Sequence, residues 1–310
     1  MRKYLIIATL ILAGTGLRAQ KTDTIKQTNA ADSLLNSMNA DKNNENVSIF
    51  KSTRLILTQS AETDKKKNFN FEIIHRFGDF AGATGGAKYA YGLDDVADVD
   101  FRFEYGLSDN FNVILERSTI GGLIDLELKY AILHQKADGS SPVAITVLGE
   151  RGVRPFGSFT TLDSRLSTFA EAIFARKFSS GFSMEIAPSF ISNNSAYPNL
   201  PGVDQQFVSL SAAMRFKLTK HMGFIVDYAH PFSSSRNNSS AFSDPLGFGI
   251  EMVTGGHVFT VNIVNSKANS EINYLSNTQS DYGRGQYRIG FTISRMFDFN
   301  HREVYKRNGE

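Results

Sequence analysis

Histidine, cysteine and carboxylate spacings come first, because they decide whether the chain can do chemistry. The six histidines are His75, His134, His221, His230, His257 and His301. None stands in a His-Glu-x-x-His pattern or at another close ligand spacing. Cysteine is absent, so a structural zinc site lacks its usual residues. His230 lies near Ser233, Ser234 and Ser235, residue types that a membrane-embedded hydrolase uses, but in a serine- and asparagine-rich stretch that reads as a hydrophilic loop. Gly82-Ala83-Thr84-Gly85-Gly86 has neither the flanking strand and helix nor the lysine-serine pair of a phosphate cradle. Asp94, Asp95, Asp98 and Asp100 lack the glycine turn of a calcium loop. No catalytic residue, metal or cofactor is therefore assigned.

One set of charged residues does share a spacing. Glu72, Arg76, Asp100, Arg102, Glu104, Glu116, Asp125, Glu127, Lys129, Glu185, Asp227, Glu251 and Arg288 fall out of phase with neighbouring aromatic and aliphatic residues. Nine of these are acidic and four basic. An arginine or lysine facing lipid near the bilayer midplane costs about 2–4 kcal/mol, so charges in this phase belong on an inner face. Two readings stay open: a plugged interior whose charges pair with one another, or a water-filled passage for small hydrophilic solutes. Glu72, Arg102, Glu104, Glu127 and Lys129 fall at similar depths, which predicts a ladder with Arg102 and Lys129 each between carboxylates.

These phases imply the elements that hold them. Phe69, Phe71 and Ile73 alternate with Asn70, Glu72 and Ile74; Phe101, Phe103 and Tyr105 alternate with Arg102 and Glu104. Ile124, Leu126, Leu128 and Tyr130 alternate with Asp125, Glu127 and Lys129. The same period of two recurs at Phe182–Phe190, Met222–Tyr228, Leu246–Met252 and Tyr287–Ile293. Such alternation makes a strand with one apolar and one polar face. With Asn110–Ser118, Pro142–Glu150, Arg165–Phe178, Gln206–Leu218 and His257–Val264, twelve strands are expected from residue 69 onward. Most have about nine to eleven residues, the span of a tilted membrane strand. Arg165–Phe178 alternates poorly, and its faces stay unassigned.

The connections alternate as well. Gly106–Asn110, Ser179–Gly181, Thr219–His221 and Gly255–Gly256 are tight, whereas Gly78–Ala97, Arg151–Ser164, Ser192–Gln205, Phe232–Asp244 and Asn265–Gly285 are long. Short periplasmic turns and long external loops are what an up-and-down barrel requires when its N-terminus is periplasmic. Thr119–Gly122 is short for an external loop, and His134–Ser141 is long for a turn. A soluble β-sandwich also alternates, but with strands of about five or six residues and no rule on connection length. Tyr105, Tyr130, Tyr228 and Tyr287 stand where interfacial girdles belong.

The termini behave differently. Arg2 and Lys3, the apolar run Tyr4–Leu12, and Leu17 and Ala19 before Gln20 have the order of a signal peptide, residues 1–19. Residues 20–67 form a polar periplasmic segment, partly disordered or plug-like, in which Arg54–Thr58 reads as a short strand docking at the barrel mouth. Residues 68–299 are the barrel and 300–310 a periplasmic tail. The net charge of +2, with no basic cluster, excludes nucleic acid as a partner. The expected fold is thus all-β, a transmembrane antiparallel up-and-down β-barrel of about 12 strands.

Several runs carry a family resemblance: Phe50-Lys51-Ser52-Thr53-Arg54-Leu55, Gln59-Ser60-Ala61-Glu62-Thr63, His75-Arg76-Phe77-Gly78, Tyr91-Gly92-Leu93-Asp94, Phe103-Glu104-Tyr105-Gly106-Leu107, Glu116-Arg117-Ser118 and Lys129-Tyr130. Together they resemble a β-barrel family of Bacteroidota catalogued as a domain of unknown function. Before Asp125, where that family often has a polar or basic residue, Gly121 to Ile124 stand here. The resemblance implies an outer-membrane barrel and brings no substrate or catalytic residue. The expected location is the bacterial outer membrane. The expected partners are its lipid and lipopolysaccharide, together with the barrel-assembly machinery. Three functions follow from different classes: a porin-like channel for small hydrophilic solutes, a non-conducting barrel that anchors external loops or partner proteins, and a membrane-embedded hydrolase.

Overall fold

The computed structural model describes residues 45–194 and 202–299. The expected signal peptide, residues 20–44 of the polar segment and the tail 300–310 lie outside the described residues. Twelve antiparallel strands follow one another around a closed barrel, and β1 pairs with β12 to seal it. They are β1 (Asn68–Phe77), β2 (Val96–Ser108), β3 (Phe111–Ser118), β4 (Ile124–Leu133), β5 (Ala144–Val153), β6 (Leu166–Ser179), β7 (Phe182–Asn193), β8 (Gln206–Lys217), β9 (Met222–Phe232), β10 (Leu246–Thr254), β11 (His257–Val264) and β12 (Arg288–Asp298). Among the described residues no helix is long and apolar enough to cross a membrane.

The closing seam shows how alternation sets register. Ile73 lies opposite both Ile293 and Phe101, and Glu72 lies opposite both Ser294 and Arg102. Apolar residues meet outside and polar residues inside, and a slip of one residue would invert every face. On the outside Phe103 packs against Phe71 and Phe69, with ring centroids 5.2 and 6.5 Å apart. Tyr105 and Tyr130 are exposed on the same face, whereas Tyr287 precedes β12 and stacks on Phe80 and Tyr282 from a loop.

The irregular features have local causes. On β6 the inner face carries Phe169 and Ile173 beside Ser167 and Glu171, while Ala170 and Ala172 face outward. An apolar inner face erases the contrast that alternation relies on. These residues are buried because something packs against them within the lumen. The longer turn after β4 serves as a docking edge: Asn46 bridges Lys136, Val47 N–H donates to the Gln135 carbonyl, and Ala137 N–H donates to the Glu45 carbonyl. The short connection after β3 is held by the Asp98 carboxylate, which accepts from Ser118, Thr119 and Ile120.

Candidate functional site: the barrel lumen

All thirteen charged residues assigned to the inner face point inward and are buried: Glu72, Arg76, Asp100, Arg102, Glu104, Glu116, Asp125, Glu127, Lys129, Glu185, Asp227, Glu251 and Arg288. Arg102 on β2 is the hub. Its guanidinium lies 2.8 Å from Glu127, 3.2 Å from Glu116, 3.6 Å from Glu104 and 3.7 Å from Glu72. Lys129 departs from the expected ladder. Its ammonium donates to the Thr53 carbonyl at 2.8 Å, on the chain that precedes β1. Elsewhere Arg215 pairs with Glu251 at 2.7 Å, and Arg288 pairs with Asp79.

Sequence reasoning missed Arg54, Asp98, Glu150, Arg154, Glu171, Arg215 and Glu271, which are also buried. Arg54, Arg154 and Glu271 lie outside the strands, where no period marks them. Among the described residues fifteen buried carboxyl groups face eight buried cationic side chains. Some of these carboxylates sit directly opposite each other, as Glu116 does Asp125 and Glu127 does Glu150. Like charges in that position repel.

The lumen is filled from both ends. From the end where β1 begins, residues 48–64 turn inside the barrel instead of resting at its mouth. Arg54–Thr58 is a tight bend closed by an Arg54–Gln59 bridge, not a strand along the wall. Leu55, Ile56 and Leu57 are wholly buried. The wall is shaped for them, since a Cβ at Gly247 would meet Ile56 Cγ2 at 2.8 Å and one at Gly249 would meet Ile56 Cδ1 at 2.9 Å. Polar side chains fasten the backbone. Asp227 accepts from Leu57 N–H at 2.8 Å and Thr58 N–H at 3.0 Å; Glu185 accepts from Ala61 N–H at 3.2 Å. Thr53 donates to Glu104 at 2.6 Å, and Gln59 bridges Arg102 and Glu127. These bonds satisfy a turn that water cannot reach.

From the opposite end, the loop after β11 folds inward, although its polar ends suggest an exposed connection. Its helix Glu271–Asn277 buries Ile272, Tyr274 and Leu275 against β6, β7 and β9. This is the packing that made β6 apolar inside. Asn193 donates to Ser276 at 3.0 Å and Arg154 to Asn273 at 2.6 Å. Burial and then Glu116 push the Glu271 carboxyl up, opposed by Arg54. Burial acts to lower the Arg54 guanidinium, but Glu271 and Glu116 outweigh it and raise it further, so it stays charged. A cavity of about 260 Å³ lies between residues 48–64 and Asn70, His257 and Ser294.

Outside the lumen, His230 Nδ1 lies 2.8 Å from Asp244, but Ser233 and Ser235 turn to Asp204. Among the described residues no charge-relay set is assembled there.

Solved structures of similar fold include two porins and an outer membrane protein. The NanC porin aligns with a TM-score of 0.44 at 8% identity, over 74% of this chain and 98% of its own. The KdgM porin aligns at 0.42 and 6%, over 75% and 99%. Acinetobacter baumannii Omp33 aligns at 0.40 and 9%, over 75% and 99%. These likenesses concern the fold alone. No curated protein matches the sequence. A family model described as a membrane-bound beta barrel domain matches residues 50–297, and the chain belongs to that family.

Proposed function

We propose that this outer-membrane barrel is a porin-like, cation-preferring channel whose lumen is closed at rest by two inserted segments. One observation carries the reading: the inner wall holds far more carboxylates than its cations can pair, some directly across from one another. A permanently dry core gains nothing from such pairs, because buried charge without a partner is strongly unfavourable. A hydrated lumen screens them, and the surplus then attracts small cations and repels anions. Hydrogen bonds and ion pairs to the two inserted segments, not covalent closure, hold the present state.

The filled lumen also favours a second reading, a non-conducting barrel that displays its external loops. A tether separates the two. Thr58 Oγ1 lies 3.2 Å from Asp227, so Thr58→Cys with Asp227→Cys can lock the segment in place. In a planar bilayer under voltage, the reduced protein should open with a cation-selective reversal potential, and oxidation should silence it. Openings that persist in the oxidised protein would show that this segment is not the gate. Silence in both forms would favour the display barrel.

A further inference from the structure

The two inserts enter from opposite sides of the membrane and meet inside the barrel. Arg54, on the N-terminal segment, pairs with Glu271 of the external insert at 3.2 Å and donates to the Asn269 carbonyl. The same guanidinium pairs with Glu116 of the wall at 3.1 Å. Arg76 of β1 bridges in the other sense. Its Nη1 donates to the carbonyls of Ser266, at 3.2 Å, and Ala268, and its Nη2 donates to the Ile56 carbonyl at 3.1 Å. Asp98, which shapes the external turn after β3, also accepts from Asn269 N–H at 2.9 Å.

Each insert therefore completes the seat of the other. If the external insert leaves, Arg54 keeps Glu116 but loses Glu271 and the Asn269 carbonyl, and Arg76 keeps Ile56 but loses two carbonyls. If the N-terminal segment leaves, Glu271 loses its cation. Buried charges without partners are costly, so the departure of one insert weakens the docking of the other. Coupling of this kind is reciprocal by thermodynamic necessity.

We propose that the pair acts as a relay across the membrane: displacing the external insert, residues 265–280, frees the N-terminal segment, residues 48–64, towards the periplasm. Signalling of this kind is a function separate from solute passage. It rests on the lumen being closed by these segments and does not need the barrel to conduct.

The chain has no cysteine, so single introduced cysteines report cleanly. The full protein, folded in vesicles, carries Ile56→Cys as the inner reporter or Ser276→Cys as the external one, and the rate of maleimide labelling is read. Glu271→Ala should speed labelling at position 56 about tenfold, and Arg54→Ala should speed labelling at position 276 by a similar factor. Heat-modifiable gel mobility verifies the barrel in each variant. A clamp avoids any loss of folding: Asn193→Cys with Ser276→Cys, oxidised, pins the external insert to β7. It should slow labelling at position 56 below the unclamped rate. The relay is overturned if the clamp and Glu271→Ala both leave position 56 unchanged while position 276 responds. Conductance is recorded separately, so coupled labelling in a silent barrel keeps the relay and removes the channel. Conduction with uncoupled labelling does the reverse.

Discussion

At the scale of residues, phase along the strand decides the effect of a substitution. Arg102 serves four carboxylates and is wholly buried. Arg102→Met should therefore cost about 3–5 kcal/mol, the penalty of stranding buried charge. Phe103, one position on, faces lipid, and Phe103→Arg should cost about 2–4 kcal/mol near the midplane by a different mechanism. Urea unfolding in detergent or lipid measures both. A harmless Arg102→Met would mean that the lumen is already wet. Asp64, just before β1, gives a pH dependence. Burial, then Glu104 and Glu72, push its carboxyl up to about 8. Docked, Asp64 stays protonated up to about 8; undocked, it ionises near 4. Docking is thus strongest at acid pH, weakens as pH rises from about 4 to 8, and is level above that. Measured relative to the unfolded chain at each pH, which corrects for the thiolate fraction, labelling of a cysteine at position 56 should be slower at pH 5 than at pH 8.5, and Asp64→Asn should flatten the difference. The thirteen inner charges were legible because each lies in a strand whose neighbours are large and apolar. Arg54 and Glu271, which join the two inserts, lie outside any period and could not be read that way.

At the scale of elements, the strands were legible and their contents were not. Period two located all twelve strands, and β6 alone resisted because Phe169 and Ile173 face inward to meet the helix Glu271–Asn277. The signals of filling were present but scattered: apolar triplets inside polar stretches, Leu55-Ile56-Leu57 and Ile272 to Leu275, and glycines on an inner face. Gly247 and Gly249 are polar-face positions by phase, yet their role is to leave room for Ile56. Gly247→Val should expel Ile56 while leaving a heat-modifiable barrel, at a cost of about 1–3 kcal/mol for overpacking. Pairing it with Ile56→Ala should restore protection of the segment in a labelling assay, since neighbours that share space are not additive. Failure of that rescue would mean that Ile56 does not hold the segment at this wall. The long turn after β4 is explained the same way, as an edge for residues 45–47 and not as an oversized loop.

At the scale of the whole molecule, one wall serves two environments: hydrocarbon outside, and inside a charged lumen now occupied by the chain's own segments. Alternation of residue and of loop length identifies the barrel, because the bilayer forces both. Whether the lumen is open depends on contacts between residues as distant as Arg54 and Glu271, which no local pattern encodes. Removing the inserts should expose the carboxylate surplus and with it a preference for cations, which Glu104→Gln and Glu127→Gln should reduce. The most direct measurement is single-channel current from the full chain beside a chain whose residues 49–62 and 267–278 are both replaced by glycine-serine linkers of equal length. Expected are only brief, voltage-driven openings from the full chain and a steady, ohmic, cation-selective conductance from the replaced one. Equal steady conductance from the two proteins, or silence from the replaced protein with its barrel intact, would contradict closure by the two inserts.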